Sequence, residues 1–457
     1  MRLSVPVLAA ILGLGSLLTT SIGASASSAG QDATPIVRGA HISGVVQHQA
    51  AGPSAAATAT SCSTPGFTNY KTNCHGTGRP VNETWIATNG SLLVAGANDY
   101  NSYNGQGQDG YYSSTDGKTW NDAGPIDVFP HNTNNGAGDP GLAVDAGGVV
   151  YYSSLFFNFH NCGVGGVELL RRDPTTLAWS YFQIASNSRK QFQDKPAIAL
   201  GSAAVYVSWT QFGSCTGVNV TSPIKVAVFP TGAASAAPSS ILSVPGSTFS
   251  QGSSIAGDGG AGFWVAWEEY PSSSATVGTI MLAHFDGTSW NTPATISPAG
   301  FKDLPSPLPG FSFRDNSFPA LTMVGTSPEV VWTSYDTGVG RAYLWSAGTV
   351  STLAPRGGDQ FFPSIRGDGS GGVFVAFSQV NAGTASYDQW VAQGTNRTKV
   401  STASSFPNND AFFSGQFIGD YNGMTVFSGG AHPIWTDIRG PDPNYNSWEM
   451  DAMEYAA

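Results

Sequence analysis

The chain has 457 residues, 57 of them Gly, with charged residues at only 11% and aromatics at 12%. Its formal net charge of −11 argues against nucleic acid or an anionic membrane surface as a partner, because both call for basic patches. Few charges, many glycines and many rings suit a β-rich extracellular protein and argue against a helical or disordered one.

Residues 1–26 read as a secretory signal: Arg2 gives the positive start, Val5 to Leu18 the apolar run, and Ala24-Ser25-Ala26 a small-residue cleavage site. Cleavage near Ser27 removes Arg2 and takes the formal charge from −11 to −12. The apolar run is too short for a stable membrane span, and no other stretch of about 20 apolar residues exists. The expected location is therefore secreted and extracellular, with no membrane span. Residues 27–61, rich in Ala, Ser and Thr, read as a flexible spacer with one strand around Ile42 to Val46. The remainder, 62–457, reads as a single β-domain.

Four cysteines in an exported chain point to two disulfides. Pairing by proximity gives Cys62–Cys74 and Cys162–Cys215, each worth roughly 3–4 kcal/mol by loop entropy. The alternative, a metal site, has no CxxC or nearby His spacing behind it.

From residue 82 a phrase recurs seven times: a short apolar strand, a Gly-rich turn, and a second strand ending in Trp, Phe or Ser. The copies are NETWIATNGSLLVAGAND (82–99), DPGLAVDAGGVVYYSS (139–154), DKPAIALGSAAVYVSWT (194–210), GSSIAGDGGAGFWVAWEE (252–269), FPALTMVGTSPEVVWTS (318–334), FPSIRGDGSGGVFVAFS (362–378) and GDYNGMTVFSGGAHPIWTD (419–437). A spacing of about 55 residues, built from short strands and Gly turns, marks a radial β-architecture. Third strands follow at 110–115, 167–172, 224–229, 280–285, 341–346, 388–393 and 447–453, and the fourth strands are shorter, as outer edges should be. The fold expected is an all-β propeller of four-stranded blades, seven preferred and six the alternative. The last repeat ends with its third strand at Met453, so its fourth is expected from the N-terminal region, near residues 36–68.

In an up-and-down blade, the start of strand one and the end of strand two lie on one rim around the axis, where ligand sites form. Asp139, Asp194 and Asp420 fall at what reads as one equivalent position there, and Asp99, Glu268, Asp336 and Asp437 near second-strand ends. A ring of carboxylates can supply general acid and base, or hold a hard cation such as Ca²⁺; no other cofactor is indicated. The bland reading is architectural: each Asp accepts backbone N–H bonds and closes the turn between blades. Catalysis needs asymmetry, so the residues that break the repeat carry more weight. These are Tyr421 and Asn422 after Asp420, Glu268 with Glu269 and Tyr270, Arg314 in a Pro-rich insertion, Arg439 in WTDIRG, and His131 and His160 in Asn-rich loops. Arg366 falls inside an inner strand, where it matters to a ligand only if its tip reaches the axis. Trp209, Trp267, Trp332 and Trp435 recur at one position and read as packing between blades.

Ser114-Thr115-Asp116-Gly117-Lys118-Thr119-Trp120 sits between third and fourth strands, with a degraded copy at 285–290. Side-chain caps, a Gly for positive φ and a packed Trp make it a tight structural turn. Here the chain resembles the Asp-box repeats of the sialidase superfamily, and the wider phrases GDPGLAVDAGGVVYYSS, DKPAIAL and FIGDYNGM…HPIWTDIRG look like secreted bacterial sialidase-like proteins. That resemblance covers most of 78–455. It implies a hydrolase of extracellular glycans with arginines gripping a carboxylate, a Tyr nucleophile with a Glu partner, and an acid/base Asp. Carried onto this chain, Asp420 or Asp139 is the acid/base, Glu268 its partner, Tyr421 the nucleophile or orienter, and Arg314 and Arg439 the anion grips; Asn422 and Asp194 complete the binding set. A non-catalytic binding or scaffold propeller of the cell surface is the rival, and a polysaccharide lyase using His131 with Tyr421 a third reading. A monomer that acts on or binds an extracellular glycan or polysaccharide is expected.

Overall fold

The computed structural model describes residues 60–62, 69–73, 80–100, 108–126, 135–157, 165–188, 190–213, 221–232, 236–353, 357–410, 412–439 and 448–451. These residues form seven antiparallel sheets and one short 3₁₀ turn, Pro407–Asn409. The innermost strands, in chain order, are Val81–Thr88, Asn135–Val144, Phe192–Leu200, Ser250–Gly257, Ala320–Val324, Gln360–Gly367 and Gly423–Phe427. Each packs against the inner strand of the next sheet, and Gly423–Phe427 returns to Val81–Thr88, so the sheets close a ring. The protein is an all-β propeller, and its blades are numbered one to seven in that order below. No helix among the described residues is long and apolar enough to cross a membrane.

The burial pattern follows from radial packing. Middle strands lie between two neighbouring blades and are buried on both faces, as in Leu93–Asp99 and Gly430–Asp437, where every residue is buried. They therefore read as near-continuous apolar runs, while outer strands such as Trp179–Ser186 and Thr349–Leu353 alternate between buried and wet. Trp209, Trp267, Trp332 and Trp435 are all fully buried between blades, in agreement with their packing role. Trp209 donates its indole N–H to Gln193 Oε1 at 2.7 Å and Trp267 donates to Glu269 Oε2 at 3.1 Å, so burial leaves neither donor stranded.

Ring closure is made by Tyr70–Lys71, which pairs with Trp448–Asp451 as the outer strand of blade seven. That segment lies just beyond the 36–68 window expected for it. The strand Thr60–Cys62, inside the window, instead pairs with Trp120–Asp122 and gives blade one a fifth strand. Asn69 fixes the latch. Its Nδ2 donates to the Val400 carbonyl at 2.8 Å, and its Oδ1 accepts from the Thr402 N–H at 2.7 Å, the Thr402 hydroxyl at 2.8 Å and Arg439 Nη2 at 3.0 Å. One buried amide thus ties the N-terminal segment to blades six and seven.

The turn at 114–120 is held by side chains. Ser114 Oγ accepts the Gly117 N–H at 2.9 Å, and Asp116 Oδ1 accepts those of Lys118 and Thr119 at 2.8 and 2.7 Å. It lies among the hairpin turns on the rim opposite the inner-strand starts, and Asp116 has a structural part there. Cys74, Cys162, Cys215, His131 and His160 lie outside the described residues, as does the side chain of Cys62.

Candidate functional site at the propeller axis

Five inner strands share one irregularity. The pairing with the second strand skips two residues, between Asn82 and Trp85, Gly138 and Gly141, Asp194 and Ala197, Gln251 and Ser254, and Phe361 and Ser364. The first skipped residue has positive φ each time: Glu83 at 56°, Asp139 at 56°, Lys195 at 53°, Gly252 at 63° and Phe362 at 49°. The second is Pro in three blades (Pro140, Pro196, Pro363), which suits a place where the ladder takes no N–H. Bulges re-aim a side chain out of the pleat, and here they turn it toward the axis. Only Gly takes this backbone without cost; Glu83, Asp139 and Lys195 each store on the order of 1–3 kcal/mol of strain. Gly252 has no such freedom to change, since a Cβ there would lie 2.2 Å from the Phe318 ring.

The three strained residues meet one another and the segment before blade seven. Glu83 and Asp139 share a hydrogen bond between their carboxyls, and burial first, then the charges of Asp139 and Asp420, push the Glu83 pKa well above the ordinary range. Glu83 therefore carries the shared proton and donates it to Asp139. On its other side Glu83 Oε2 accepts from Asn98 Nδ2 at 2.9 Å, and Asn98 Oδ1 accepts the Asp139 N–H at 2.9 Å. Arg314 grips Asp420 through both oxygens, Nε to Oδ1 at 2.9 Å and Nη2 to Oδ2 at 2.7 Å, and lies 4.0 Å from Glu83 Oε1. Asn316 donates to the Asp420 carbonyl at 2.7 Å, fixing its backbone. Burial would lower the Arg314 pKa, but the charge of Asp420, with that of Asp139 adding to it, outweighs burial and holds the guanidinium charged.

Lys195 places its ammonium 3.1 Å from the centre of the Tyr421 ring and 5.9 Å from that of Phe318. Burial lowers its pKa, and Asp139, Glu83 and Asp420 work against that. The Tyr421 hydroxyl donates to the Pro140 carbonyl at 3.0 Å, and burial first, with the charges of Asp139 and Asp420 adding to it, raises its pKa well above the ordinary phenol. Tyr421 is thus a neutral donor and a cation–π platform rather than a ready phenolate. Glu83, Asp139 and Asp420 are only 1–3% exposed, whereas the Arg314 side chain keeps 21% of its surface wet. Tyr100, Phe412, Phe413 and Phe417 roof the cluster, with the Arg314 guanidinium 4.5 Å from the Phe417 ring centre. Among the described residues no group of three or more His, Cys, Asp or Glu is arranged to hold a metal ion. In this cluster Lys195 and Arg314 occupy the place a cation such as Ca²⁺ would take.

Of the residues expected from sequence, the structure brings together Asp139, Asp420, Tyr421 and Arg314. It separates the others. Glu268 lies in blade four, where its Oε2 accepts from Gln251 at 3.1 Å and its charged neighbour is Asp303, whose pKa burial raises to about 7. It is not the partner of Asp139 or Asp420. Arg439 is bound to Asp437, Thr402 and Asn69 in the closure latch, so it grips no ligand. Asn422 donates to Ser378 Oγ at 3.2 Å beside the axial channel, not to the carboxyl cluster. Asp194 is one residue out of step: aligned on the prolines, Lys195 is the counterpart of Asp139, and Asp194 precedes it within the strand. Asp99 and Asp336 accept from Tyr112 and Tyr343 at 3.0 and 2.8 Å, which supports the architectural reading for those ends.

Two members were missed, Glu83 and Lys195. Both stand in the recurring phrase one residue before Pro or its equivalent, and aligning the copies on that step would have found them.

No known family profile matches the chain, and no curated protein matches it in sequence. Several solved structures are similar to it. A sialidase from Trypanosoma rangeli is 10% identical, the match covering 68% of this chain and 54% of that one with a TM-score of 0.42. An alpha-L-arabinanase from Penicillium chrysogenum, solved with arabinobiose, is 10% identical over 87% of this chain and 98% of its own, TM-score 0.42. A puromycin-hydrolysing peptidase from Mycobacterium tuberculosis is 12% identical over 79% of this chain and 49% of its own, TM-score 0.45. Function on a propeller is argued from the site.

Proposed function

We propose that the protein is a secreted acid–base hydrolase of extracellular glycans, working at the axial cluster. The observation that carries this reading is the convergence, on three strained non-Gly bulges, of a protonated Glu83, its Asp139 partner, Lys195, and the Arg314–Asp420 pair. A carboxylic acid kept neutral by burial is the form a general acid needs to protonate a leaving oxygen. Asp139 accepts that proton's hydrogen bond and holds it in place, and Glu83 takes the negative charge when the proton leaves. Arg314, the wettest member, meets the substrate first, and a guanidinium suits a carboxylate or a hydroxyl-rich sugar face. Glu83 and Asp139 touch directly, closer than the roughly 5 Å of a retaining pair or 6.5–9.5 Å of an inverting one. They form one proton-sharing unit, and the second carboxylate of the reaction is Asp420.

A panel of chromogenic glycosides, neutral and anionic, tests the reading. Glu83→Gln and Asp139→Asn should lower kcat by roughly 10²–10⁴-fold with little change in unfolding temperature. The wild-type rate should fall on the alkaline side as Glu83 loses its proton, and that limb should be missing in Glu83→Gln. Full activity in Glu83→Gln would remove the assignment.

The near-complete burial of Glu83, Asp139 and Asp420 favours a second reading, a glycan-binding propeller without turnover in which the cluster locks the ring. Binding on a glycan array with no hydrolysis of any member of the panel decides for it.

A further inference from the structure

A second feature of the axis lies away from the carboxyl cluster. The centre of the ring holds a cavity of about 810 Å³, within the size range of small-molecule sites. Lys195, Asp420 and Tyr421 stand at its inner end, while Gly325, Gly369 and Gly371, in exposed hairpin turns of blades five and six, border it on the opposite rim. Between them the accessible wall mixes apolar side chains, Trp85, Leu200, Met323, Val324 and Val426, with the hydroxyls of Thr88 and Ser254. One charged group interrupts it. Arg366, on the inner strand of blade six, turns its side chain into this channel.

Arg366 is out of place on every physical count. A guanidinium has five N–H donors, and among the described residues this one makes a single hydrogen bond, Nη1 to the carbonyl of its neighbour Ile365 at 2.8 Å. Among the described residues no carboxylate pairs with it. Burial alone lowers its pKa to about 10, with no opposing charge acting on it. Its nearest π-surface is Trp85, 5.8 Å from the guanidinium carbon, and Trp85 already spends its indole N–H on the Leu142 carbonyl at 3.0 Å. The other arginine of the axis, Arg314, is held bidentate by Asp420. Arg366 is part-buried and holds unused N–H donors toward the channel, so it is the group an anionic ligand entering there would meet.

We propose that the axial channel is a binding site for a singly charged carboxylate with an elongated apolar body, its carboxylate held by Arg366 and its body lying along Leu200, Met323, Val324 and Val426. One guanidinium matches one carboxylate in charge and in fork geometry. A doubly charged phosphate monoester would bring a second, uncompensated charge into the same apolar space. The site takes its ligand from the rim opposite the Glu83–Asp139 pair and is independent of the hydrolase reading.

Sodium decanoate is the probe, titrated calorimetrically into the whole secreted protein in low-chloride buffer, with decanol and acetate alongside. Saturable one-to-one decanoate binding is expected, at least tenfold tighter than either control. Arg366→Gln should weaken it at least tenfold, and Glu83→Gln should leave it unchanged. Val324→Trp, which fills the channel at its outer end, should also weaken it, so the test survives if Arg366→Gln fails to fold. Absence of decanoate binding, equal binding of decanol, or binding indifferent to both channel variants overturns the proposal. Acetate or chloride competing as well as decanoate would mean an adventitious anion only, and overturns it too.

Discussion

Replacing Asn69 with Ala tests how the ring is closed. The side chain makes four hydrogen bonds, to the Val400 carbonyl, the Thr402 N–H and hydroxyl, and the Arg439 guanidinium. A neutral bond contributes about 1 kcal/mol net and one to a charged group about 1.5–3, which sums to roughly 5 kcal/mol. Asn69 is fully buried, but Thr402 is exposed, so water can reach part of the gap. The expected loss is therefore about 3 kcal/mol. Unfolding entropy near 2.1 cal/mol/K per residue over roughly 400 residues makes that a fall in Tm of about 4 °C. Asn69→Asp keeps the acceptor and strengthens the pairing with Arg439 while losing the donor to Val400, so it should lose less than half as much. Calorimetry on wild type and both variants reads the difference. If Asn69→Ala shifts Tm by less than 1 °C, or Asn69→Asp is the worse of the two, the latch is not what holds blades six and seven to the N-terminal strand.

Other expectations follow from single groups. Asp109 is buried beside Glu168, with Ser154 donating to both at 2.9 and 3.1 Å, and burial raises its pKa to about 8. A raised acid binds its proton more tightly when folded, so its contribution is full below the unfolded value near 3.8 and is lost as pH rises through 8. Asp109→Asn should flatten the decline in urea-unfolding free energy between pH 5 and 8 by on the order of 2 kcal/mol; an unchanged slope would show that Asp109 is ionised in the fold. Gly423 begins the inner strand of blade seven, and a Cβ there would lie 2.8 Å from the Ile86 nitrogen and the Trp85 Cα. Because both are backbone atoms, Gly423→Ala should destabilise by about 2–3 kcal/mol, measured by denaturant midpoint, and no change would mean the blade seven to blade one contact is slack. Lys195→Met removes the cation beside Asp139 and Tyr421, and should shift the alkaline limb of the rate profile to higher pH, because Glu83 then ionises next to one positive charge fewer.

Much of the fold was legible because it repeats. The phrase around the Gly turns recurs with the same buried-strand pattern, and its Trp, Phe and Ser endings mark where blades press together. Most outer strands were recognisable by their shortness; Trp179–Ser186 of blade two, at eight residues, is as long as its neighbours. The closure strand was harder to place, because Tyr70–Lys71 is two residues long and carries no pattern of its own; what fixes it is the buried amide of Asn69 meeting Val400 and Thr402 across more than 300 residues of chain. Within the site, Tyr421 and Arg314 stood out because they interrupt a regular motif, and Asp139 and Asp420 because they recur at one position of it. Glu268 and Arg439 interrupt it equally well and turn out to serve blade four and the latch.

Local sequence settles which residues are strand, which are turn, and that one strand pair cannot bury its faces alone, because pleat periodicity, Gly conformational freedom and burial are properties of short segments. What it leaves open is direction at the axis. A bulge with positive φ decides whether Asp139 or Asp194 looks inward, and whether a lysine can stand where its neighbours have acids. Those choices depend on how seven strands share one centre, where each buried charge is tolerable only beside the others, and that balance exists only once the ring is closed.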